Sequence, residues 1–99
     1  MEKIDQKKMT KSAEILFAAG RALKHPLRMK ILKFIEKKGN TSVTPIYRTL
    51  GLEQSVTSQH LNILRKENLV VAKRDGKQIF YKVNYAQLKK ISRVADSIL

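Results

Sequence analysis

Residues 54–67, Gln-Ser-Val-Thr-Ser-Gln-His-Leu-Asn-Ile-Leu-Arg-Lys-Glu, carry the side chains best suited to recognition chemistry in this chain. Projected as a helix at about 100° per residue, Thr57, Leu61 and Leu64 gather on one side. Ser55, Gln59, Asn62 and Lys66 fall opposite, with Ser58 at the flank and Gln54 at the start. Side-chain amides pair bidentately with adenine, and hydroxyls serve as donor or acceptor. Val56, beside this face, suits a thymine methyl. Gln54, Ser55, Val56, Ser58, Gln59, Asn62 and Lys66 are therefore the candidate base-reading set. An ordinary solvated polar face is the competing reading.

A second cluster, Lys73-Arg74-Asp75-Gly76-Lys77-Gln78, places cations around an Asp-Gly hairpin signal. Lys73, Arg74, Lys77 and Gln78 are candidates for phosphate or minor-groove contact. Charged hairpin tips also discourage edge pairing, which is the bland alternative. The Thr41–Thr44 region, Tyr47, Arg48 and Thr49 add further backbone candidates, with Thr44 and Arg48 foremost.

The elements around these clusters follow from periodicity. A helix is expected from Thr10, with Ile15, Ala19, Ala22 and Leu23 on one face and residues 1–9 as a flexible tail. His25-Pro26 breaks it and starts a second helix through Leu27, Ile31, Phe34 and Ile35. Lys37-Lys38-Gly39-Asn40 stops that helix. Thr41-Ser42-Val43 reads as a short strand, and Thr44-Pro45 as N-cap and first turn of a third helix ending at Gly51. The fourth helix is the 54–67 segment. Two strands follow, with Val70 and Val71 in one and Ile79, Phe80, Tyr81 and Val83 in the other. Asn84 caps a last helix with Leu88, Ile91, Ala95 and Ile98 on its apolar face. The expected fold is mainly α (α+β): a winged helix-turn-helix of about five helices with a two-stranded hairpin wing, as one domain over residues 1–99.

Composition narrows the function classes. Lys and Arg total 21 against 8 Asp and Glu, a formal net charge of +13 on 99 residues. Such a balance favours a polyanionic partner. The chain has no cysteine, which excludes disulfides, thiolate metal sites and cysteine nucleophiles. His25 and His60 lack helical ligand spacing and a third ligand, so no metal site is assigned; His60 reads as a partly buried packing residue. No phosphate-binding glycine loop, serine–histidine motif or paired carboxylate appears, so neither catalysis nor a cofactor is expected. No apolar run approaches the roughly 20 residues of a membrane span, and the first residues lack a secretory pattern. A cytoplasmic protein with no membrane partner is expected.

Three stretches resemble one family. Ala22-Leu23-Lys24-His25-Pro26-Leu27-Arg28-Met29-Lys30-Ile31-Leu32 is similar to the second-helix motif of ArsR-type winged-helix repressors. Residues 50–65, running on into Asn68-Leu69-Val70, resemble their recognition-helix signature. The wing Arg74-Asp75-Gly76-Lys77 and Tyr81 also fit, so the resemblance covers residues 12–98. It implies a homodimeric transcriptional regulator, usually a repressor, bound to an inverted repeat in double-stranded DNA. The first and last helices would form the dimer, through Ile15, Ala19, Ala22, Leu23, Leu88, Ile91, Ala95 and Ile98. The family's cysteine and Asp/His/Glu metal sites have no counterpart here, so no effector is assigned. His25 stands where the family often has an acid, and Thr57 where it often has an apolar residue. The alternatives are a protein-docking winged helix, a non-specific architectural DNA binder, and a basic amphipathic membrane binder, which fits poorly.

Overall fold

The computed structural model describes the backbone of residues 6–98 and the side-chain surroundings of residues 14–97. Seven elements follow in order: α1 (Gln6–Lys24), α2 (Pro26–Lys38), α3 (Val43–Leu50), α4 (Gln54–Lys66), β1 (Val70–Asp75), β2 (Gln78–Val83) and α5 (Tyr85–Ile98). Helix α1 starts at Gln6, ahead of the expected Thr10. The rest of the expected tail lies outside the described residues.

Each break has a local cause. His25 sits in extended conformation as N-cap of α2, where its Nδ1 accepts the Leu27 N–H at 3.2 Å, and Pro26 takes the first helical position. Gly39, at φ +80°, ends α2 with its N–H on the Ile35 carbonyl. Helix α3 starts at Val43 with Ser42 as N-cap, not at Pro45 with Thr44 as cap. Proline is tolerated there because the N–H groups of the first turn have no intrahelical acceptor. The expected strand at 41–43 shrinks accordingly to one bridge. Thr41 exchanges hydrogen bonds with Tyr81 at 3.0 and 2.7 Å, which adds a single residue to the edge of β2.

Gly51 makes the sharp turn between α3 and α4 in the left-handed region (φ +65°, ψ +38°), the conformation a residue without Cβ adopts most cheaply. Helix α4 ends without glycine. Asn68 takes φ +60°, its N–H reaches the Arg65 carbonyl at 3.0 Å, and the Leu69 N–H reaches the Leu64 carbonyl at 2.9 Å. This is a Schellman closure, with Leu64 and Leu69 at its two ends both fully buried in the core.

β1 and β2 pair antiparallel from Val70 opposite Val83 to Asp75 opposite Gln78. The two turn residues are therefore Gly76 and Lys77, one place later than Asp75-Gly76. Gly76 has φ +64° and Lys77 does not share the positive φ, the pattern of a type II′ turn with glycine first. Asn84 caps α5 as expected, with its Oδ1 accepting the Gln87 N–H at 3.2 Å.

The core draws on every element except α5: Ala22, Ile31, Leu32, Ile35, Ile46, Leu61, Leu64, Leu69, Val70 and Val83. Leu23, Leu88 and Ile91 pack against its edge. The face of α1 assigned to a second copy is thus partly spent within the protomer. Ala22 (1% exposed) and Ala19 (4%) are already covered, and α1 packs on α5 of the same chain. Ile15 and Ala95 are half-buried, and the side chain of Ile98 lies outside the described residues. Among the described residues the apolar surface left open on α1 is at Phe17 (68% exposed), beside Leu16 and Gly20. Among the described residues no helix is long and apolar enough to cross a membrane.

Candidate nucleic-acid interface

Helix α4 divides as its sequence requires. Thr57, Leu61 and Leu64 are buried and anchor it; Gln54, Ser55, Ser58, Gln59, Asn62, Arg65 and Lys66 are exposed. Thr57 costs the core little despite its hydroxyl, because Oγ1 donates to the Glu53 carbonyl at 3.0 Å. Val56 is half-buried, so only part of it remains for contact. Glu53 caps the helix without a side-chain hydrogen bond, so the amides of the first turn stay open toward solvent.

The exposed face is not uniform. The Asn62 Oδ1 accepts from Arg65 at 3.1 Å, so this asparagine presents chiefly its NH2 group. Gln59, exposed and without such a partner among the described residues, keeps both amide atoms for one base. Arg65 is not in the set that the sequence singles out; its i, i+3 spacing from Asn62 is the signal that could have found it.

Three elements converge beside this face. A cleft of 250 Å³ is lined by Ser42, Val43 and Thr44 from the start of α3, by Ser58 from α4, and by Lys77, Gln78, Ile79 and Tyr81 from the wing. Four expected contact residues, Thr44, Ser58, Lys77 and Gln78, thus meet in one concavity although 34 positions separate the first from the last. Ser42 and Val43 belong to the 41–44 stretch also expected at the backbone, and Ile79 and Tyr81 join them unforeseen. Their place depends on the Thr41–Tyr81 bridge, which pulls the start of α3 onto β2. Lys73 and Arg74 do not reach this cleft. They line a separate hollow of 580 Å³ with Asn40, Phe80 and Lys82. Arg48 is exposed on α3, apart from both.

Behind α4 lies a polar junction that periodicity does not reveal. The rings of His25 and His60 stand 4.7 Å apart between centroids, tilted by 56°. Arg28 donates from Nε to the His60 Nδ1 at 3.3 Å and from a terminal nitrogen to the Arg21 carbonyl at 3.1 Å. Burial first, then His25 and Arg28, hold the His60 pKa below its ordinary 6.5. Among the described residues no three His, Cys, Asp or Glu side chains gather as a metal site would require.

Comparison with known proteins agrees with this geometry. Residues 25–71 match the family model described as "Bacterial regulatory protein, arsR family". The chain is 35% identical over 91 residues to an uncharacterized HTH-type (helix-turn-helix) transcriptional regulator of Methanocaldococcus jannaschii, covering 92% of this chain and 98% of that one. It is 31% identical over 96 residues to the transcriptional repressor PagR of Bacillus anthracis, covering 97% and 92%. In fold it is similar to a homodimeric winged helix-turn-helix DNA-binding domain from Mycobacterium bovis, with a TM-score of 0.75, 22% identity, and coverage of 99% and 89%.

Proposed function

Because this chain belongs to the arsR family of bacterial regulatory proteins, we propose that it is a sequence-specific DNA-binding repressor. It acts as a homodimer on an inverted-repeat operator. The observation that carries this reading is the convergence of Thr44, Ser58, Lys77 and Gln78 in one cleft beside the exposed polar face of α4. In such an arrangement α4 enters the major groove and the wing tip follows the adjoining backbone. Ser55, Ser58, Gln59 and Asn62 read bases; Thr44, Arg48, Lys77 and Gln78 hold phosphates and set the register. Lys66, Lys73 and Arg74 add cationic charge around this footprint. The net charge of +13 supports salt-dependent binding. No catalytic role is assigned, and the site of action is the cytoplasm.

The test is selection from a random duplex library at moderate salt. An enriched inverted repeat supports the reading, with half-sites about one helical turn apart or a multiple of it. Salt-sensitive binding without enrichment would favour an architectural role, and no binding would favour protein docking.

Two substitutions probe the parts. Lys77→Ala is expected to weaken binding to operator and random duplex alike. It should also lower the salt slope by about one for each phosphate that Lys77 neutralises. An unchanged slope, measured by fluorescence anisotropy over a salt series, would remove Lys77 from the interface.

For the dimer, the surface available to a second copy is the apolar cleft of 380 Å³ lined by Leu16, Phe17, Gly20, Arg21 and Lys24. A phenylalanine 68% exposed in that cleft favours coverage. Phe17→Glu is expected to convert a dimer into a folded monomer, read by sedimentation equilibrium. A dimer that survives it would move the interface off this face.

A further inference from the structure

We infer that the Arg28–His60 hydrogen bond is a proton-sensitive latch that seats the reading helix on the α1–α2 corner, so that duplex binding weakens in mildly acidic solution. The inference rests on the DNA-binding reading given above.

The geometry builds the latch from three elements. Arg28, near the start of α2, ties the end of α1 through the Arg21 carbonyl at 3.1 Å. Its Nε donates to the His60 Nδ1 at 3.3 Å, 32 residues away on α4. His60 accepts that bond only with Nδ1 unprotonated. His25 stands against the His60 ring, held in place as the N-cap of α2 by the Leu27 N–H. His60 lies one residue from Gln59 and one from Leu61, between the base-reading and core faces of α4. A change in its seating therefore tilts the reading face directly.

A proton on His60 reverses the contact. Nδ1 becomes a donor facing a guanidinium, and a positive charge appears beside Arg28 and the His25 ring. Among the described residues no carboxylate acts on it: Glu36 of α2 is exposed about two turns beyond Arg28, among the exposed Lys30, Lys33, Lys37 and Lys38. On α4 itself, Glu53 and Glu67 each lie seven residues from His60, about 10.5 Å along the axis. Helix α1 ends nearby with exposed Lys24, another cation. Helix α3 brings Tyr47 and Arg48. Strand β1 carries Lys73, Arg74 and Asp75 at its wing end, away from the buried Leu69–Val70 end. The charges that act on His60 are those of His25 and Arg28. Burial and both neighbours oppose its protonation. The unfolded chain thus takes up this proton more readily than the folded chain does. Stability is full above about pH 6.5 and falls as the pH drops below it. Duplex binding in the latched geometry follows the same direction.

The test compares the full chain with His60→Asn, which keeps an acceptor close to the Nδ1 position and does not titrate. Affinity for a fluorescent duplex is measured from pH 7.5 to 5.5, each protein against its own value at pH 7.5. The wild type is expected to lose affinity progressively as the pH falls, severalfold by the acidic end of the series, because the histidine takes up its proton below its ordinary range. His60→Asn is expected to stay flat within about twofold. In the free protein, proton NMR of the two histidine rings should show His60 titrating below 6.5, and Arg28→Gln should move it upward. Circular dichroism at pH 8 checks that both variants are folded. Equal pH profiles for wild type and His60→Asn would overturn the latch, and so would an ordinary His60 titration. A chain that binds no duplex at pH 7.5 would instead overturn the DNA-binding reading beneath it.

Discussion

Leu61→Ala is expected to destabilise the protein by about 2–5 kcal/mol, the range for deleting a buried leucine side chain and leaving part of its cavity unfilled. For a chain of this size that means a drop of roughly 10 °C or more in melting temperature. Leu61 is 1% exposed, in the same core as Ile31, Ile35, Ile46 and Leu64. It is where the reading helix is fastened to the rest of the fold. The measurement is thermal unfolding by circular dichroism at pH 8, above the His60 transition. Operator affinity should fall only as far as the folded fraction does, because Leu61 presents nothing to a ligand. A destabilisation under about 1 kcal/mol would show that the core closes over the gap.

Gln59→Ala, two residues earlier, is expected to do the opposite. Two residues turn a helix by about 200°, so Gln59 faces away from the core and is exposed. Its removal should leave stability within about 0.5 kcal/mol of wild type, as surface changes usually do. Its effect should fall on discrimination. Removing one bidentate base pairing costs about 1–3 kcal/mol, roughly five- to 150-fold in the ratio of operator to random-duplex affinity at each half-site. Competition anisotropy at fixed salt reads that ratio. If it does not change, base reading passes to Ser58 and to the NH2 group of Asn62, which remains available while Arg65 holds its oxygen.

The opposite roles of Leu61 and Gln59 are set by the amino-acid sequence alone. Their opposite fates follow from a period of 3.6, which depends only on backbone geometry. The helix order, the α4 faces, the Gly39 and Gly51 stops and the Asn84 cap are local in the same sense: each is written within a few neighbouring residues. Where local reading misses, a longer-range contact has the deciding part. The strand expected at 41–43 reduces to one bridge because Ser42, not Thr44, caps α3 while Thr41 is held by Tyr81, forty positions away. The hairpin turn moves by one residue because the Val70–Val83 register, anchored in the core, sets which pair is left over at the tip.

The recognition set shows the same division. Its residue types, its basic charge and its helix are legible, and with them the family. The grouping is not: Thr44 and Ser58 face Lys77 and Gln78 across one cleft, whereas Lys73 and Arg74 line another. Residue type and period do not tell these two groups apart, and only the packing of the hairpin on α2, α3 and α4 says what each part of the wing meets. Likewise Ala19 and Ala22 belong to an apolar stripe that periodicity assigns to some partner. Packing identifies that partner as the protomer's own core and leaves Phe17 uncovered instead. The Arg28–His60 bond spans 32 residues and leaves no periodic trace at all. Local order is a property of consecutive residues and short-range sterics. Which surfaces remain free, and which polar groups face one another, depends on how the elements close around a shared core, and the chain acquires that information only on folding.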